Sequence, residues 1–455
     1  MNEGIQARPL SAQTIAAIDH AVRSAQRTWR APAVSVGIVR DGALVHSLHV
    51  GSARLDPSTA ATDDTHFLMG SVTKTFTGLV VMMLRDEGRL DLDDPLERHL
   101  PGIAHGRLTI RGLLAHLSGL QREPVGNIWD SLQGPDTEQL MAGLPAAEEV
   151  LAHGELFHYS NLAYILLAQL VERITGRPWE EVVTERVCRP LGMTRTGLTP
   201  RSDRMLGYAV HPFAGTATEE PLFDLRATAP LGGLWSTIAD LARYSTVLTN
   251  PDQGLLRPET LDQMCRPLVM IDQQAWTVGY GLSWGMVRRG NRVYVGHAGA
   301  MPGYLTGVRA SRADRLAAIA VANTSAGAAP IVLAADLLDL VLDAEPTAPA
   351  VWVPEQGATI DPLVAEVLGL WWSEGEALVF TVRDGQLWCT LPGEPAFTET
   401  RFALDGSGGF RAIHGRECGE RLQLQRDASG RLTRMTFATY AVTREPTSFG
   451  DLAGS

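Results

Sequence analysis

The sequence predicts an α+β fold in two parts: an antiparallel sheet with helices and an all-α lobe, followed by a small antiparallel β-barrel. Two observations predict the first part, residues 1–345. Strand-like alternation appears near both of its ends, and the stretch between them is mostly helical. One observation predicts the second part: short strands separated by tight turns recur over residues 362–455. The stretch between them, 346–361, is rich in proline and alanine and is expected to be a linker.

The composition is that of a globular protein, with 455 residues, 45% of them hydrophobic and 20% charged. The net charge of −12 and the lack of any basic run argue against nucleic acid or an anionic membrane as a partner. No apolar stretch approaches membrane-spanning length, and the N-terminus does not resemble a secretory signal, so a cytoplasmic location is expected. The four cysteines are too widely spaced for a metal-binding pattern, and neither a metal nor a cofactor is expected.

The sheet of the first part is predicted from two distant stretches. Residues 33–52 alternate around an Asp-Gly turn, which is typical of a β-hairpin. Strand signals return over residues 280–325 and are followed by an amphipathic helix at 329–344. The hairpin and the later strands would form one antiparallel sheet, with the helical region of about 71–270 inserted between them. A cleft between sheet and helical lobe would be a natural ligand site.

The helical region opens on a serine and a lysine three residues apart, Ser71 and Lys74. Lys74 is the only lysine of the chain; every other cationic side chain is arginine. Lysine loses its proton when it is buried and arginine does not, so this lysine suits a site that needs a neutral amine as a base. On a helix the two side chains share a face, and a helix N-terminus favours developing negative charge. The pair therefore predicts an activated serine nucleophile, although chance spacing in an arginine-rich chain would also produce it.

Two further stretches carry polar groups that could complete the site. In "FHYSNLAYILL", Tyr159 and Asn161 precede a clear helix; by themselves they also fit a core-edge tyrosine and a helix N-cap. In "VYVGHAGAMPG", a strand ends on His297, and Gly299 would let another backbone approach its edge closely. A histidine in such a place is usually a satisfied structural residue.

Taken together, Ser-x-x-Lys, Tyr-x-Asn and His-x-Gly in this order resemble the serine penicillin-binding protein and class C β-lactamase superfamily. The resemblance covers about residues 15–340 and includes the stretches "LTIRGLLAHLSGL" and "APLGGLWSTIADLARY". It implies that Ser71 is the acylated nucleophile and that Lys74 activates it. It implies further that Tyr159 passes a proton to the leaving group.

The same resemblance implies the substrate-binding residues. Asn161 would hold the substrate's carbonyl, and the backbone N–H groups of Ser71 and Ala300 would form an oxyanion hole, with Gly299 beside them on the strand. His297 stands where classical β-lactamases and transpeptidases have a lysine that binds a substrate carboxylate. A largely neutral imidazole at this place weakens the case for β-lactam hydrolysis.

A second serine, Ser118 beside His116, is also a candidate nucleophile, but no G-x-S-x-G elbow surrounds it. We interpret it as structural. A non-catalytic scaffold of the same fold is a further alternative, but such proteins often lose the serine, lysine or tyrosine, and this chain keeps all three.

Family members share the acyl-enzyme and differ in what removes the acyl group. A catalytic domain followed by a small lipocalin-like barrel resembles the stand-alone cyclases that release nonribosomal peptides from carrier-protein thioesters, with the barrel excluding water from the cleft. The expected partner is thus a peptidyl thioester or ester, presented on a carrier protein, that cyclises head to tail from Ser71. The layout also resembles D-stereospecific peptidases and esterases, for which water is the acceptor.

Arg444, near the end of the barrel, is the last candidate substrate-binding residue. Its guanidinium could reach the cleft and bind a carboxylate or a peptide carbonyl in a bidentate manner. The alternative is a solvated charge at a strand end.

Overall fold

The computed structural model describes residues 7–250, 254–346, 353, 359–383, 385–395, 398–448 and 450. The chain divides into two compact units, Met1–Ala348 and Pro349–Ser455. Most of the predicted linker 346–361 lies outside the described residues. Within the described ranges, every helix is too short or too polar to cross a bilayer. The same ranges hold no group of three or more histidine, cysteine, aspartate or glutamate side chains arranged to bind a metal ion.

The strands of the first unit are short in the helical lobe and longer in the main sheet. They are Ala33–Arg40 (β1), Ala43–Gly51 (β2), Arg54–Leu55 (β3), Ser58–Thr59 (β4), Phe67–Leu68 (β5), Tyr208–Val210 (β6), Ala217–Glu219 (β7), Trp235–Ser236 (β8), Val269–Met270 (β9), Val278–Tyr280 (β10), Gly285–Arg289 (β11), Arg292–Met301 (β12), Tyr304–Ser311 (β13) and Leu316–Ala322 (β14). The main sheet has the order β2-β1-β14-β13-β12-β11-β10-β9, and each neighbouring pair in it is antiparallel.

The helices of the first unit occur mostly between β5 and β9. They are Ala12–Trp29 (α1), Thr73–Asp86 (α2), Ile110–Leu114 (α3), Ile128–Ser131 (α4), Thr137–Gly143 (α5), Asn161–Thr175 (α6), Trp179–Val183 (α7), Ile238–Thr249 (α8), Pro258–Met264 (α9) and Pro330–Ala344 (α10). The 3₁₀ helices are Gly70–Val72, Leu96–Arg98, Leu144–Ala146 and Arg226–Leu231, and a π-helical turn spans Thr184–Cys188.

The N-terminal hairpin joins the later strands, as the sequence predicts. Strand β1 is buried along its whole length because it lies between β2 and β14, and Val34 pairs with Ala322 at the start of the ladder. Asp41 and Gly42 both adopt positive φ, at 49° and 83°, which fits the two-residue turn expected of an Asp-Gly hairpin. The predicted antiparallel sheet with an inserted helical lobe is therefore confirmed.

The sheet separates two hydrophobic cores. On one face, α1 and α10 pack against the strands through Ile18, Val22 and Leu338. On the other face, α8 and the helical lobe form the larger core, in which α2 is buried from Thr73 to Leu84. Because α2 is covered on every side along this stretch, any polar side chain on it is removed from water. This placement decides the chemistry of its lysine.

The second unit is a closed antiparallel barrel. A short helix, Pro362–Val367 (α11), precedes strands Gly369–Ser373 (β15), Glu376–Arg383 (β16), Gln386–Thr390 (β17), Thr400–Leu404 (β18), Phe410–His414 (β19), Arg421–Arg426 (β20), Leu432–Phe437 (β21) and Tyr440–Thr443 (β22). The first and last strands pair through Trp372 and Thr443, which closes the barrel. Apolar side chains such as Trp371, Phe402 and Phe410 form its core. The predicted barrel is confirmed.

Arg444 follows the last strand, and its bonds lie within the barrel. The guanidinium donates to the backbone carbonyls of Glu366 at 2.8 Å, Leu368 at 3.2 Å and Leu370 at 3.3 Å. Its central carbon lies 3.8 Å from the centre of the buried Trp371 ring. The side chain thus ties the end of β22 to the segment that begins the barrel. These contacts differ from both sequence interpretations, the free strand-end charge and the group reaching for substrate; substrate contact by Arg444 stays a prediction.

We expect Arg444→Ala to lower the free energy of unfolding of the barrel by about 1–2 kcal/mol, because three backbone carbonyls lose a charged donor and Trp371 loses a cation–π contact. Chemical denaturation followed by tryptophan fluorescence measures the change. Arg431, whose side chain is 80% exposed, provides the control, and Arg431→Ala should shift stability by less than about 0.5 kcal/mol. Equal stability of the two variants would contradict the structural role.

Candidate active site

Ser71 lies in the 3₁₀ turn that leads into α2, and this turn packs directly against β12. Gly70 has a φ of 56°, and a Cβ atom there would lie 2.5 Å from the backbone nitrogen of Ala300. A Cβ atom on Gly299 would lie 2.0 Å from the carbonyl oxygen of Met69. Both distances are too short for any side chain, so the two glycines permit a backbone contact that places Ser71 next to Ala300. The close approach predicted for Gly299 is thus found.

Lys74 is fully buried directly beneath the serine. Its Nζ atom lies 3.1 Å from the Ser71 Oγ atom and also donates a hydrogen bond to the backbone carbonyl of Leu231. Burial holds the pKa of Lys74 well below its ordinary value, and the charge of Glu123 opposes this only in part. A neutral amine next to a serine hydroxyl can take its proton, which is the arrangement that the lone lysine predicts.

Tyr159 is the third group around the nucleophile. Its phenol is hydrogen-bonded with Ser71, and its ring centre lies 5.1 Å from the Lys74 Nζ atom. The ring of His116 packs against it with centres 4.2 Å apart. Burial raises the pKa of Tyr159, so the phenol is protonated at neutral pH and can donate a proton to a leaving atom.

Asn161 lies at the first position of α6, and Ser160 is the N-cap, since its Oγ accepts from the backbone of Ala163 at 3.1 Å. The interpretation of Asn161 as an N-cap is therefore wrong. Its Nδ2 atom donates to both carboxylate oxygens of Glu123, at 2.7 and 2.9 Å. Its buried Oδ1 atom has no hydrogen-bond partner among the described residues. The free atom is thus an acceptor, which suits a substrate N–H group better than the predicted carbonyl.

His297 is buried on β12, and both of its ring nitrogens are engaged. Nδ1 lies 2.5 Å from the carbonyl oxygen of Ala298, which can only accept, so Nδ1 carries the proton. Nε2 therefore accepts from the hydroxyl of Tyr280 at 3.1 Å. Burial lowers the pKa of His297 to about 3, so the imidazole is neutral at pH 7. A neutral imidazole cannot replace the charge of the lysine that the resemblance would place here.

One cavity of about 860 Å³ brings most of these residues together. Much of its wall is apolar, with Trp129, Leu231 and Ile331 among the contributors. Two charged side chains, Arg122 and Glu220, line it as well. The candidate site residues in its wall are Ser71, Tyr159, Asn161, His297, Gly299 and Ala300. Lys74 lies below this wall, and Arg444 belongs to the other compact unit.

Sequence reasoning missed four polar residues of the site: Arg122, Glu123, Glu220 and Tyr280. They come from loops or strand ends that carry no motif of their own. The first two directly follow the stretch "AHLSGLQ", and only that nearness could have drawn attention to them. Glu220 follows β7 and accepts a hydrogen bond from the Ser325 hydroxyl. This contact spans more than a hundred residues, so no local pattern could predict it.

The second candidate serine is inaccessible. Ser118 and His116 are both fully buried, and the Ser118 Oγ atom accepts from the backbone nitrogen of Leu120 at 3.3 Å. The Nδ1 atom of His116 accepts from the backbone nitrogen of Ser160 at 3.0 Å. These bonds fit the structural interpretation of Ser118.

Comparison with protein families identifies both units. Residues 18–343 match the model described as "Beta-lactamase", and residues 360–444 match a domain of unknown function, DUF7586. The human "Putative beta-lactamase-like 1" is 29% identical over 65% of this chain and 62% of its own length. The D-aminopeptidase of Brucella anthropi is 29% identical over 69% of this chain and 60% of its own length. The chain therefore spans less than two thirds of either relative.

Among solved structures, the crystal structure of SurE with D-Leu resembles both units. It matches with a TM-score of 0.57 and 25% identity, covering 96% of this chain and 100% of that one. The octameric penicillin-binding protein homologue from Pyrococcus abyssi matches with a TM-score of 0.65 at 20% identity, covering 94% and 99%. The second likeness concerns the fold alone.

We expect Lys74→Arg to be as inactive as Lys74→Ala, because an arginine keeps its charge and cannot accept the Ser71 proton. Turnover of an activated ester measures this, and thermal denaturation checks that each variant is folded. Substantial turnover by the arginine variant would contradict the assignment of Lys74 as the base.

Tyr159→Phe should slow both acylation and deacylation of Ser71 by roughly 10²-fold or more, since the ring stays and only the proton donor is lost. Burst kinetics with a chromogenic ester separate the two steps. If both rates match those of the unmodified protein, Tyr159 is only a packing residue.

Proposed function

The chain belongs to the beta-lactamase family, and we propose that it is a serine acyltransferase which cyclises peptides. In this proposal a peptidyl thioester or ester, presented on a carrier protein in the cytoplasm, acylates Ser71. The peptide's own N-terminal amine then attacks the acyl-enzyme and releases a head-to-tail macrolactam. The observation that carries the proposal is a carboxylate, Glu220, in the same largely apolar cavity as a serine activated by a neutral amine.

Acylation follows from the contacts of Ser71. Lys74 takes the proton from the Ser71 hydroxyl while Oγ bonds to the donor's carbonyl carbon. The backbone N–H groups of Ser71 and Ala300 would stabilise the oxyanion that forms. When the intermediate collapses, the bond to the leaving sulfur or oxygen breaks, and Tyr159 gives that atom a proton. The phenol recovers its proton from the protonated Lys74, which restores the neutral amine.

In the release step the same groups act in the reverse order, and a new acceptor attacks the acyl-enzyme. The incoming amine bonds to the acyl carbon, its proton passes through Tyr159, and the Ser71 Oγ atom leaves and regains its hydrogen. Water can follow the same path, so the product depends on which acceptor occupies the cavity. Glu220 would give the amine an advantage at the binding stage, because a carboxylate forms an ion pair with an ammonium group and forms none with neutral water.

The similar proteins support the class of substrate. One relative is named a D-aminopeptidase, and the SurE structure contains D-Leu, so both names connect this family to D-configured residues. We therefore propose a D-residue at the acylating end of the peptide. The same two names also favour the second candidate, a D-stereospecific peptidase or esterase that uses water as the acceptor.

A peptidyl N-acetylcysteamine thioester with a C-terminal D-residue and a free N-terminus separates the two candidates. We expect mainly cyclic product, and we expect Glu220→Gln to lower the ratio of cyclic to linear product by about tenfold through loss of the charged hydrogen bond. Mass spectrometry after chromatography measures the ratio. Ser71→Ala should abolish both products.

The neighbouring carboxylate provides the matched control. Glu219 is exposed at the end of β7 and does not line the cavity, so Glu219→Gln should leave the ratio unchanged. Linear product alone from the free-amine thioester would overturn cyclisation and establish the hydrolase. A similar fall in the ratio for both variants would remove the role of Glu220.

A further inference from the structure

Arg122 is a cation in the wall of the active-site cavity whose charge the proposed reaction does not use. Its Nε atom lies 3.3 Å from a carboxylate oxygen of Glu123, and its side chain is 64% exposed. The two terminal amino groups of the guanidinium have no hydrogen-bond partner in the part of the chain that the structure describes. Several N–H donors therefore remain available to a ligand in the cavity.

Backbone hydrogen bonds hold the Arg122 loop beside the start of α6, and the guanidinium lies near the ring of the proton donor. The carbonyl oxygen of Arg122 accepts from the backbone nitrogens of Asn161 at 2.7 Å and Leu162 at 3.2 Å, which ties this loop to the start of α6. The guanidinium carbon lies 5.1 Å from the centre of the Tyr159 ring. The cation and the phenol thus lie next to each other on the helical-lobe side of the cavity.

The other titratable side chains around Ser71 offer no free cationic donor to a ligand. The Lys74 amine is fully buried below the cavity wall and bonded to Ser71 and Leu231, and the His297 ring is neutral with both nitrogens engaged. The strand that would supply a cation in the classical enzymes therefore supplies none here. Arg122 provides the positive charge from the opposite element, the loop of the helical lobe.

We propose that Arg122 binds an anionic oxygen group, a carboxylate or a phosphate, on the leaving group of the acyl donor. The leaving atom must approach the Tyr159 phenol to receive its proton, and Arg122 lies against the ring of the same tyrosine. An anion a few bonds from the leaving atom is therefore within reach of the free guanidinium donors, which match its oxygens in a bidentate manner. This inference rests on the acylation of Ser71 in the proposed function, but not on the acceptor.

Two pairs of thioesters with the same acyl group test the inference. One pair has 3-mercaptopropionate or its neutral amide as the leaving thiol, and the other has 2-mercaptoethyl phosphate or 2-mercaptoethanol, so that each anion lies a few bonds from the sulfur. The rate of thiol release gives kcat/KM for each donor. We expect the anionic member of at least one pair to be preferred by about tenfold, and Arg122→Gln to reduce that preference to about one. The pair that shows the preference identifies the anion as a carboxylate or a phosphate.

The ratio within each pair is the readout, because Arg122 also lies against Tyr159 and its loss changes the rate for every donor. Arg107 gives a matched control: its side chain is 65% exposed and paired with Glu149, and it lies outside the cavity wall. Arg107→Gln should keep the preference, and Arg122→Lys should keep part of it. No preference in either pair, or a preference that survives in Arg122→Gln, would overturn the inference. Thiol release is the same whether the product is cyclic or linear, so failure of cyclisation would be seen separately.

Discussion

Desolvation of the Lys74 amine sets the conditions for every group around Ser71. A buried ammonium needs a close anion, and the atoms that its Nζ contacts are a hydroxyl and a backbone carbonyl, both neutral. The nearby carboxylate of Glu123 is bonded to the Asn161 amide and paired with Arg122 instead. Burial therefore lowers the pKa of Lys74 and favours its neutral form. The amine is made available as a base by burial rather than by an ion pair.

The fold buries Lys74 because this lysine lies on a helix that is surrounded by the hydrophobic core. Helix α2 is covered by the helical lobe and by the sheet. The 3₁₀ turn that precedes it, which contains Ser71, packs against β12 through Gly70 and Gly299. The contact is between backbones, so it holds Ser71 and Ala300 at a fixed separation that side-chain motion cannot relax. One packing arrangement therefore places both the base below Ser71 and the backbone N–H groups beside it. The position of the base and that of the N–H groups depend on each other.

The parts of the fold and of the site that depend on short sequence patterns could be predicted from the sequence. The hairpin at Asp41, the barrel's succession of short strands and the motif residues Ser71 and Lys74 all show in patterns within a few residues. The hydrogen bond that the Asn161 amide donates could not be predicted, because its acceptor is Glu123, which is 38 residues away in the chain. The contacts of Arg444 could not be predicted either. A charged residue at a strand end is usually solvated, and only the fold places three carbonyls and an indole ring around this one.

The same desolvation that neutralises Lys74 bears on the choice of acceptor. In the proposed reaction an amine that enters the cavity as an ammonium is held by Glu220, but Tyr159 and His297 offer no negative charge to stabilise it nearer Ser71. Moving toward the acyl-enzyme would therefore favour its neutral form, which is the nucleophilic one, with the proton left on the Glu220 carboxylate. Water is neutral throughout and gains no ion pair at Glu220, while either acceptor would pass a proton through Tyr159 when it attacks. If the proposed cyclisation is right, the charge at the cavity wall and the desolvated reaction centre would together favour a basic acceptor.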